Sequence, residues 1–337
     1  MPATSGRGPS TTPARRASGP AQARTSRPPD EAGTPAPTST PIQASPSHSH
    51  GALVPLARPA VPRKDAAALG VERSLRLSDV DAWGRSEKTR RLVRRLEGFY
   101  YDRWFRVEWE GLEKIPRSGG ALLVANHAGA LPSDAPMIMH GIEKELGRAV
   151  YGLADYWFRT LPFIGTEWSR GGGVPAHPDN ALRLLKDEGQ LALVFPEGTK
   201  GTSKVYRDRY QLRRFGRGGF VETAMRAGVP VVPIAVVGAE ESMPIVARLP
   251  SGLAAGLGIP YLPLTLNHLL LGPLLGSVVW LPAKFRFRVL DPVSFDVAPG
   301  IGRYPRSHVM EEAEAIRLAL QDNLHDMLRQ RRSPWFG

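Results

Sequence analysis

Short, continuous apolar runs bounded by Gly or Pro recur along the chain from residue 121 onward. Residues 121–125, 191–195 and 229–238 are the clearest of them. Runs of this length and character are typical of strands that are buried on both faces. Residues 178–189 have helical periodicity and join two such strands, which favours parallel pairing. The pattern predicts an α/β fold over residues 107–337, a mixed and largely parallel sheet flanked by helices.

Residues 1–64 lack this pattern. They consist mainly of Pro, Ser, Thr, Ala and Gly with scattered Arg, and hold too few large apolar side chains to offset the entropy cost of ordering. We therefore predict a disordered tail. It has no apolar core of a signal peptide, and no run of about 18 apolar residues occurs anywhere. These absences predict a cytoplasmic protein that is soluble or bound to a membrane surface.

Residues 65–106 are predicted to be a linker followed by a basic amphipathic helix. Within 85–106 there are eight Lys or Arg and three acidic residues, and Leu92, Leu96 and Phe99 fall on one helical face. Such a helix can lie in the interface of an anionic membrane. It can equally pack its apolar face on the domain and leave its basic face in solvent.

Residues 249–280 are almost uncharged and rich in Leu, Pro and Gly. Prolines and glycines every few residues exclude one continuous membrane-spanning helix. Three interpretations remain for this stretch: a layer of the core, the wall of an acyl-chain tunnel, or a re-entrant element that touches the bilayer.

The formal net charge of +12 and the absence of cysteine restrict the binding partners and the reactive groups that the protein can have. Without cysteine there are no disulfides, no thiol nucleophile and no thiolate metal ligand. A basic surplus suits an anionic partner such as phospholipid, coenzyme A or nucleic acid, and does not choose among them. Aromatic stacking platforms interleaved with base-reading groups are not evident, so we expect no nucleic-acid partner.

Polar side chains follow two of the predicted strands at their carboxyl ends. Asn126 and His127 follow the first, and Asp134 stands where a helix over 134–147 is predicted to begin. Glu197, Thr199 and Lys200 follow the second. A histidine with a nearby carboxylate suits a base and the group that orients it, although His127 could cap the strand and Asp134 the helix. Two such strand ends predict one cleft above the sheet edge.

These residues resemble two motifs of the glycerolipid acyltransferase superfamily, in the manner of 1-acylglycerol-3-phosphate acyltransferases. The first motif is Asn-His followed by Asp, and the other is Phe-Pro-Glu-Gly-Thr followed by Lys or Arg, here residues 195–200. The first motif is altered, because six residues separate His127 from Asp134 where the family has four. The spacing of Gly165 and Arg170 is similar to a further motif, and Pro230 and Pro233 to a fourth. The resemblance covers about residues 107–295.

The resemblance implies an O-acyltransferase with a glycerolipid acyltransferase-like fold. It would move a fatty acyl group from acyl-CoA or acyl carrier protein to a glycerolipid hydroxyl, as in the lysophospholipid 1-acylglycerol-3-phosphate. His127 would be the general base and Asp134 its partner. The implied substrate-binding residues are Asn126, Gly165, Arg170, Glu197, Gly198, Thr199 and Lys200. The fourth motif would place Pro230 and Pro233 on the acyl-donor side.

The expected partners are an acyl-thioester donor, a lipid acceptor and the inner face of the cell membrane, on which the protein would be peripheral. No cofactor and no metal are expected, since the thioester is a cosubstrate. No Gly-x-Ser-x-Gly elbow is present, in keeping with direct attack by the acceptor hydroxyl. The alternatives are acylation of a neutral glycerolipid or other alcohol, and a catalytically silent membrane-surface protein.

Overall fold

The structure, a computed structural model, describes residues 79–155, 164–249 and 261–337. All of them belong to one compact unit. The predicted tail over 1–64, most of the linker and residues 250–260 of the uncharged stretch lie outside the described residues.

The described strands are β1 (Glu108–Glu110), β2 (Ala121–Ala125), β3 (Val150–Ala154), β4 (Gly173–Pro175), β5 (Leu191–Val194), β6 (Val231–Val237), β7 (Ile245–Leu249), β8 (Leu262–Thr265) and β9 (Arg286–Val289). The α-helices are α1 (Glu87–Phe99), α2 (Asp134–Leu146), α3 (Ile164–Arg170), α4 (Pro178–Leu182), α5 (Thr199–Thr202), α6 (Gly219–Ala227), α7 (Ala239–Ser242), α8 (Leu266–Leu275) and α9 (Arg306–Gln330). Helices α1 and α4 each continue into a π-helical turn, Tyr100–Trp104 and Arg183–Asp187.

Seven strands form the main sheet in the order β1-β9-β6-β2-β5-β3-β4. All neighbouring pairs are parallel except β6 and β9. Strands β2 to β6 therefore run one way, and their carboxyl ends meet at one edge of the sheet, which we call the carboxyl edge. The predicted α/β fold with a mixed, largely parallel sheet is confirmed.

The central strands are buried on both faces, which explains why their sequences are continuously apolar. On one face, Leu123 of β2 packs with α2 residues such as Ile138 and with Phe285 and Phe287. On the other, Leu122 packs with residues of α6 and α9, including Leu320. The helices thus form a layer on each side of the sheet and leave the carboxyl edge for polar groups.

Helix α1 presents its apolar side chains to solvent and charged side chains to the domain, the reverse of an ordinary surface helix. Its apolar residues Leu92, Leu96 and Phe99 are 70%, 61% and 50% exposed. The buried side instead holds Arg90, which pairs with Glu97 (3.1 Å) and with Glu143 of α2 (2.7 Å). The alternative in which the apolar face packs on the domain is wrong, because ion pairs occupy that interface.

Helix α8 also presents its apolar side chains outward. Leu270 and Leu274 are 62% and 80% exposed, and within the helix only Asn267 is buried. A core layer is therefore wrong for residues 266–275. Trp280, just beyond α8, contacts Tyr100, which directly follows α1. No helix in the described ranges combines the length and apolarity needed to cross a bilayer.

Candidate active site

His127 and Asp134 meet at the carboxyl end of β2. His127 Nδ1 lies 2.9 Å from Asp134 Oδ2, and the Asp134 side chain is fully buried. The same carboxylate accepts hydrogen bonds from the backbone amides of Ala128 (2.9 Å) and Ala135 (2.8 Å). These donors make Asp134 an acceptor, so in the neutral imidazole the arrangement favours the tautomer in which Nδ1 donates and Nε2 keeps its lone pair.

The longer loop between the two residues folds back and is anchored at several points. Trp280 donates from its indole nitrogen to the carbonyl of Leu131 (2.9 Å), and Ser133 shares a hydrogen bond with Ser242 (2.9 Å). Gly129 has a φ of 80°, which glycine adopts without strain. The extra residues therefore lengthen the loop without moving Asp134 away from His127.

The imidazole of His127 is packed on one face and partly open to solvent. Its ring stacks on Phe195, with centroids 4.0 Å apart, and its side chain is 15% exposed. Among the described residues, His127 Nε2 has no hydrogen-bond partner. A neutral imidazole held in this way can take a proton from a hydroxyl group that reaches Nε2.

Glu197 is a support for His127 and not a contact for substrate. Its side chain has no exposed surface. One carboxylate oxygen accepts from the backbone amide of His127 (3.2 Å) and the other from that of Arg213 (2.8 Å). The predicted substrate-binding role of Glu197 is therefore corrected, because both oxygens already have partners and solvent cannot reach them.

A buried charged network lies behind Glu197 and was not predicted from the sequence. Lys204 Nζ lies 3.4 Å from Glu197 and 2.9 Å from Glu240, while Glu241 pairs with Arg331 at 2.9 Å. Burial raises the pKa of Glu240 to about 7, although the ion pair with Lys204 opposes the shift. The only feature of the sequence that could have indicated this network is the Glu-Glu pair directly after an apolar strand.

Asn126 is likewise structural. It is fully buried, and its amide accepts from the backbone N–H of Val236 (2.7 Å) and donates to the carbonyl of the same residue (2.9 Å). It joins the ends of β2 and β6, so its predicted contact with substrate is corrected. Gly198, Thr199 and Lys200 are exposed at the carboxyl edge, where a substrate can reach them.

Arg170 does not reach this site. Its carbonyl accepts a hydrogen bond from the backbone N–H of Ser86 (3.0 Å), near Glu143 in the last turn of α2. Asp134 begins that helix, whose 13 residues span about 20 Å. Arg170 therefore lies at the opposite edge of the sheet, and its guanidinium pairs with Glu167 (3.0 Å). Gly165 is buried in the first turn of α3.

Pro230 and Pro233 also lie away from the site. Pro230 precedes β6, and Pro233 is in register with Val124. At about 3.3 Å per residue, Pro233 lies roughly 10 Å before Val236, the residue clamped by Asn126. An acyl-donor role for the two prolines stays a prediction, and the structure does not bring them to His127.

Comparisons with known proteins agree with these motifs. The acyltransferase family model matches residues 106–237. The chain is 40% identical over 249 residues to an uncharacterised protein of Mycobacterium tuberculosis, covering 73% of this chain and 68% of that protein. It is 31% identical over 151 residues to the chloroplastic 1-acyl-sn-glycerol-3-phosphate acyltransferase of Arabidopsis thaliana, covering 42% of this chain and 38% of that enzyme.

Among solved structures, the 1-acyl-sn-glycerophosphate acyltransferase of Thermotoga maritima aligns with a TM-score of 0.46 at 22% identity, over 80% of this chain and 90% of that chain. The matched family region holds both motifs, and the mycobacterial relative extends the similarity well beyond it. This chain belongs to the acyltransferase family, within the glycerolipid acyltransferase superfamily.

Proposed function

We propose that this acyltransferase moves a fatty acyl group from acyl-CoA or acyl carrier protein to a glycerolipid hydroxyl, with His127 as the general base. The observation that carries the proposal is the pair of His127 and Asp134, 2.9 Å apart, with Nε2 of the imidazole free. The thioester is the cosubstrate, and the proposed reaction uses no cofactor.

The chemistry follows from this geometry. Nε2 of His127 takes the hydroxyl proton while the acceptor oxygen bonds to the thioester carbon, which gives a tetrahedral intermediate. The C–S bond then breaks, and the imidazolium returns the proton to the departing thiolate. Asp134 stabilises the imidazolium between the two steps. General-base catalysis of this kind contributes on the order of 10²–10⁴-fold.

For the acceptor, we propose a lysophospholipid such as 1-acylglycerol-3-phosphate. Lys200 and the exposed cations that follow it favour a substrate with an anionic head group. A neutral glycerolipid or another alcohol is the alternative, and the test below compares the two classes directly.

The test is the release of free thiol from acyl-CoA by the purified protein. The acceptors are 1-acylglycerol-3-phosphate, monoacylglycerol and none. We expect release that depends on the phosphate acceptor, and a loss of at least tenfold in kcat for His127→Ala and for Asp134→Asn. His308→Ala is the control, because His308 is a partly exposed histidine on α9, outside the candidate active site.

Three outcomes would change the proposal. A smaller loss for His127→Ala would mean that His127 is not the base. Equal rates with the neutral acceptor would favour the neutral-lipid alternative. If the wild-type protein releases no thiol with either acceptor, the result would favour a catalytically silent membrane-surface protein.

We also propose that the protein works in the cytoplasm as a peripheral protein on the inner face of the cell membrane. The support is the outward stripe of α1, where exposed Arg91 and Arg95 alternate with Leu92, Leu96 and Phe99. Neither arginine forms an ion pair within the described ranges. A basic and apolar stripe of this kind matches an anionic interface.

A further inference from the structure

The loop of residues 128–133, between His127 and Asp134, is held at two points by other parts of the chain. We call it the catalytic loop. At the first point, the indole nitrogen of Trp280 donates to the carbonyl of Leu131 (2.9 Å). Because Trp280 follows α8, the segment that leaves this helix contacts the catalytic loop directly.

The second point is the buried hydrogen bond between the hydroxyls of Ser133 and Ser242 (2.9 Å). The carbonyl of Ser242 accepts from the side chain of Asn267 (3.2 Å) and from the backbone N–H of Leu281 (2.8 Å). Asn267 is the one residue that α8 buries in the domain. Both points therefore connect the catalytic loop to α8 and to the segment that follows it.

These anchors come from a part of the chain beyond the family match. The match covers residues 106–237 and includes the catalytic loop, whereas the anchoring residues lie between 242 and 281. The catalytic loop is also where this chain departs from the family, because its loop is the longer one. The longer loop is thus accompanied by anchors of its own.

The outward side of α8 fits a lipid surface. Its exposed apolar side chains, with one from the turn that follows, are Leu269, Leu270, Leu271, Leu274, Leu275 and Val278. From residue 249 to residue 283 the sequence has no Asp, Glu, Lys or Arg. A protein partner would ordinarily meet a polar rim and hydrogen-bonding groups there, whereas the acyl region of a bilayer needs neither.

The position of α8 relative to α1 also favours a membrane. Trp104 ends the π-helical turn after α1, and its indole nitrogen donates to the carbonyl of Trp280 (2.9 Å). The turn after α1 and the segment after α8 are therefore joined at Trp280. The basic and apolar stripe of α1 is the proposed contact with an anionic bilayer, so α8 would meet the same surface.

We propose that contact of α8 with a bilayer positions the catalytic loop through Trp280 and Ser242, so that kcat is higher on a membrane than in solution. The proposal rests on the proposed function, which supplies the reaction and the peripheral position, and adds that the membrane regulates the site. Since α8 buries only Asn267 in the domain, burial of its leucines in lipid would restrict the helix and with it both anchors. A misplacement of about 1 Å near the reacting groups can cost about 10²-fold in rate.

The first test measures kcat with a short-chain 1-acylglycerol-3-phosphate and a short-chain acyl-CoA, both dissolved, with and without phosphatidylglycerol vesicles. We expect the vesicles to raise kcat of the wild type tenfold or more. The double variant Leu270→Gln, Leu274→Gln should keep the wild-type rate without vesicles and lose the rise, although α1 still holds it on the vesicles. The control Ile301→Gln, Leu318→Gln removes two exposed apolar side chains elsewhere and should show the full rise.

Three outcomes of this test would overturn the proposal. The first is an active wild type whose kcat does not rise with vesicles, and the second is a rise that the α8 variant retains. The third is an equal loss in the α8 variant with and without vesicles, because the leucines would then support the fold alone. Flotation of each variant establishes that it is bound to the vesicles.

Amide hydrogen exchange of the catalytic loop separates this proposal from the catalytic one. On vesicle binding, exchange should slow in the wild type and remain unchanged in Trp280→Phe, which removes the indole donor and keeps an aromatic ring. Trp83→Phe is the matched control, because the Trp83 indole donates to Glu188 instead (2.6 Å), and it should behave as the wild type does.

A protein inactive in every assay that still shows this exchange pattern would refute the proposed reaction and leave the coupling supported. Unchanged exchange in vesicle-bound wild type, or slower exchange in Trp280→Phe as well, would refute the coupling whatever the activity. A wild type that does not bind vesicles would refute it too.

Discussion

Asp134 and Glu197 are both buried carboxylates, and each fixes a different part of His127. Asp134 bonds to the ring nitrogen Nδ1, while Glu197 accepts from the backbone N–H. One sets the tautomer and the other the position of the backbone. His127 is thus held at its backbone and at Nδ1, and Nε2 has no hydrogen-bond partner among the described residues.

Gly201 offers a test of that positioning, because an added Cβ would meet Glu197 Cβ at 2.9 Å and His127 Cβ at 3.0 Å. We expect Gly201→Ala to push these groups apart and lower kcat by tenfold or more, since misplacement by about 1 Å can cost about 10²-fold. Gly219→Ala is the control, because nothing lies within 4 Å of its added Cβ. Equal thiol-release rates in the two variants would contradict the positioning role.

Glu240 predicts a pH dependence of stability. Its pKa rises from an ordinary 4.5 to about 7 in the folded state because it is buried. Between pH 4.5 and pH 7 the folded state therefore binds more protons at Glu240 than the unfolded state does. The stabilising free energy that results is fully present below pH 4.5 and is lost as the pH rises to 7. The loss is about 3 kcal/mol at most.

Urea unfolding of wild type and of Glu240→Gln at several pH values from 4.5 to 8 measures this effect. The wild type should lose stability relative to the variant as the pH rises through this window. A constant difference between the two would show that Glu240 does not titrate there.

The apolar stripe of helix α1 could face either the domain or the solvent, and the sequence alone does not decide between them. Its buried side is held by Arg90 between Glu97 and Glu143, and its apolar residues are left outside. Buried ion pairs add little net stability, but removing one partner leaves an unpaired buried charge. The helix is therefore fixed to α2 by charge geometry and not by apolar burial.

Arg90→Ala should reduce the free energy of unfolding by about 3–5 kcal/mol. Arg91→Ala, the neighbouring exposed arginine, should change it by no more than about 0.5 kcal/mol. Chemical unfolding of both variants measures the difference. Similar small losses would mean that the Arg90 interface is not what fixes α1.

At the scale of the whole molecule, Trp280 connects the two helices that carry exposed apolar side chains to the loop of the active site. Trp280 follows α8, contacts Tyr100 directly after α1, and donates to Leu131 in the loop after His127. A bilayer in contact with both helices would lie beside that loop. If the protein is peripheral in this way, a lipid acceptor could reach His127 while the lipid stays in the membrane.

Vesicle flotation tests this attachment. The wild type should float with phosphatidylglycerol-containing vesicles at low salt, and lose binding at high salt, because the attraction decays over about 8 Å at physiological ionic strength. The double variant Arg91→Glu, Arg95→Glu should lose it too. Arg303→Glu, Arg306→Glu has the same charge change at other exposed positions and should bind as wild type does.

Other outcomes are equally informative. Release only by detergent would mean that α8 inserts more deeply than a peripheral mode allows. No flotation under any condition would leave the basic stripe of α1 as a solvent-facing surface.

The sequence by itself determined the central strands β2, β5 and β6, the largely parallel sheet and the two motif turns. Residues 121–125 and 191–195 are apolar throughout because both faces of the sheet are covered, and this leaves a local signal. Parallel strands also have their carboxyl ends at the same edge of the sheet. The meeting of His127 with the Phe195–Lys200 turn could therefore be predicted from the order of the strands and turns along the chain. Asp134 at the start of a helix was predicted as well.

Only the tertiary structure decided which polar residues face the opening and which are buried. Asn126 and Glu197 end in the interior because backbone amides of β6 and of residues 127 and 213 come to them from distant parts of the chain. Arg170 lies at the far edge because it comes directly before the amino end of β4, which is parallel to β3. Such placements depend on long-range packing, which leaves no periodic trace in the sequence, and the same holds for the outward face of α1.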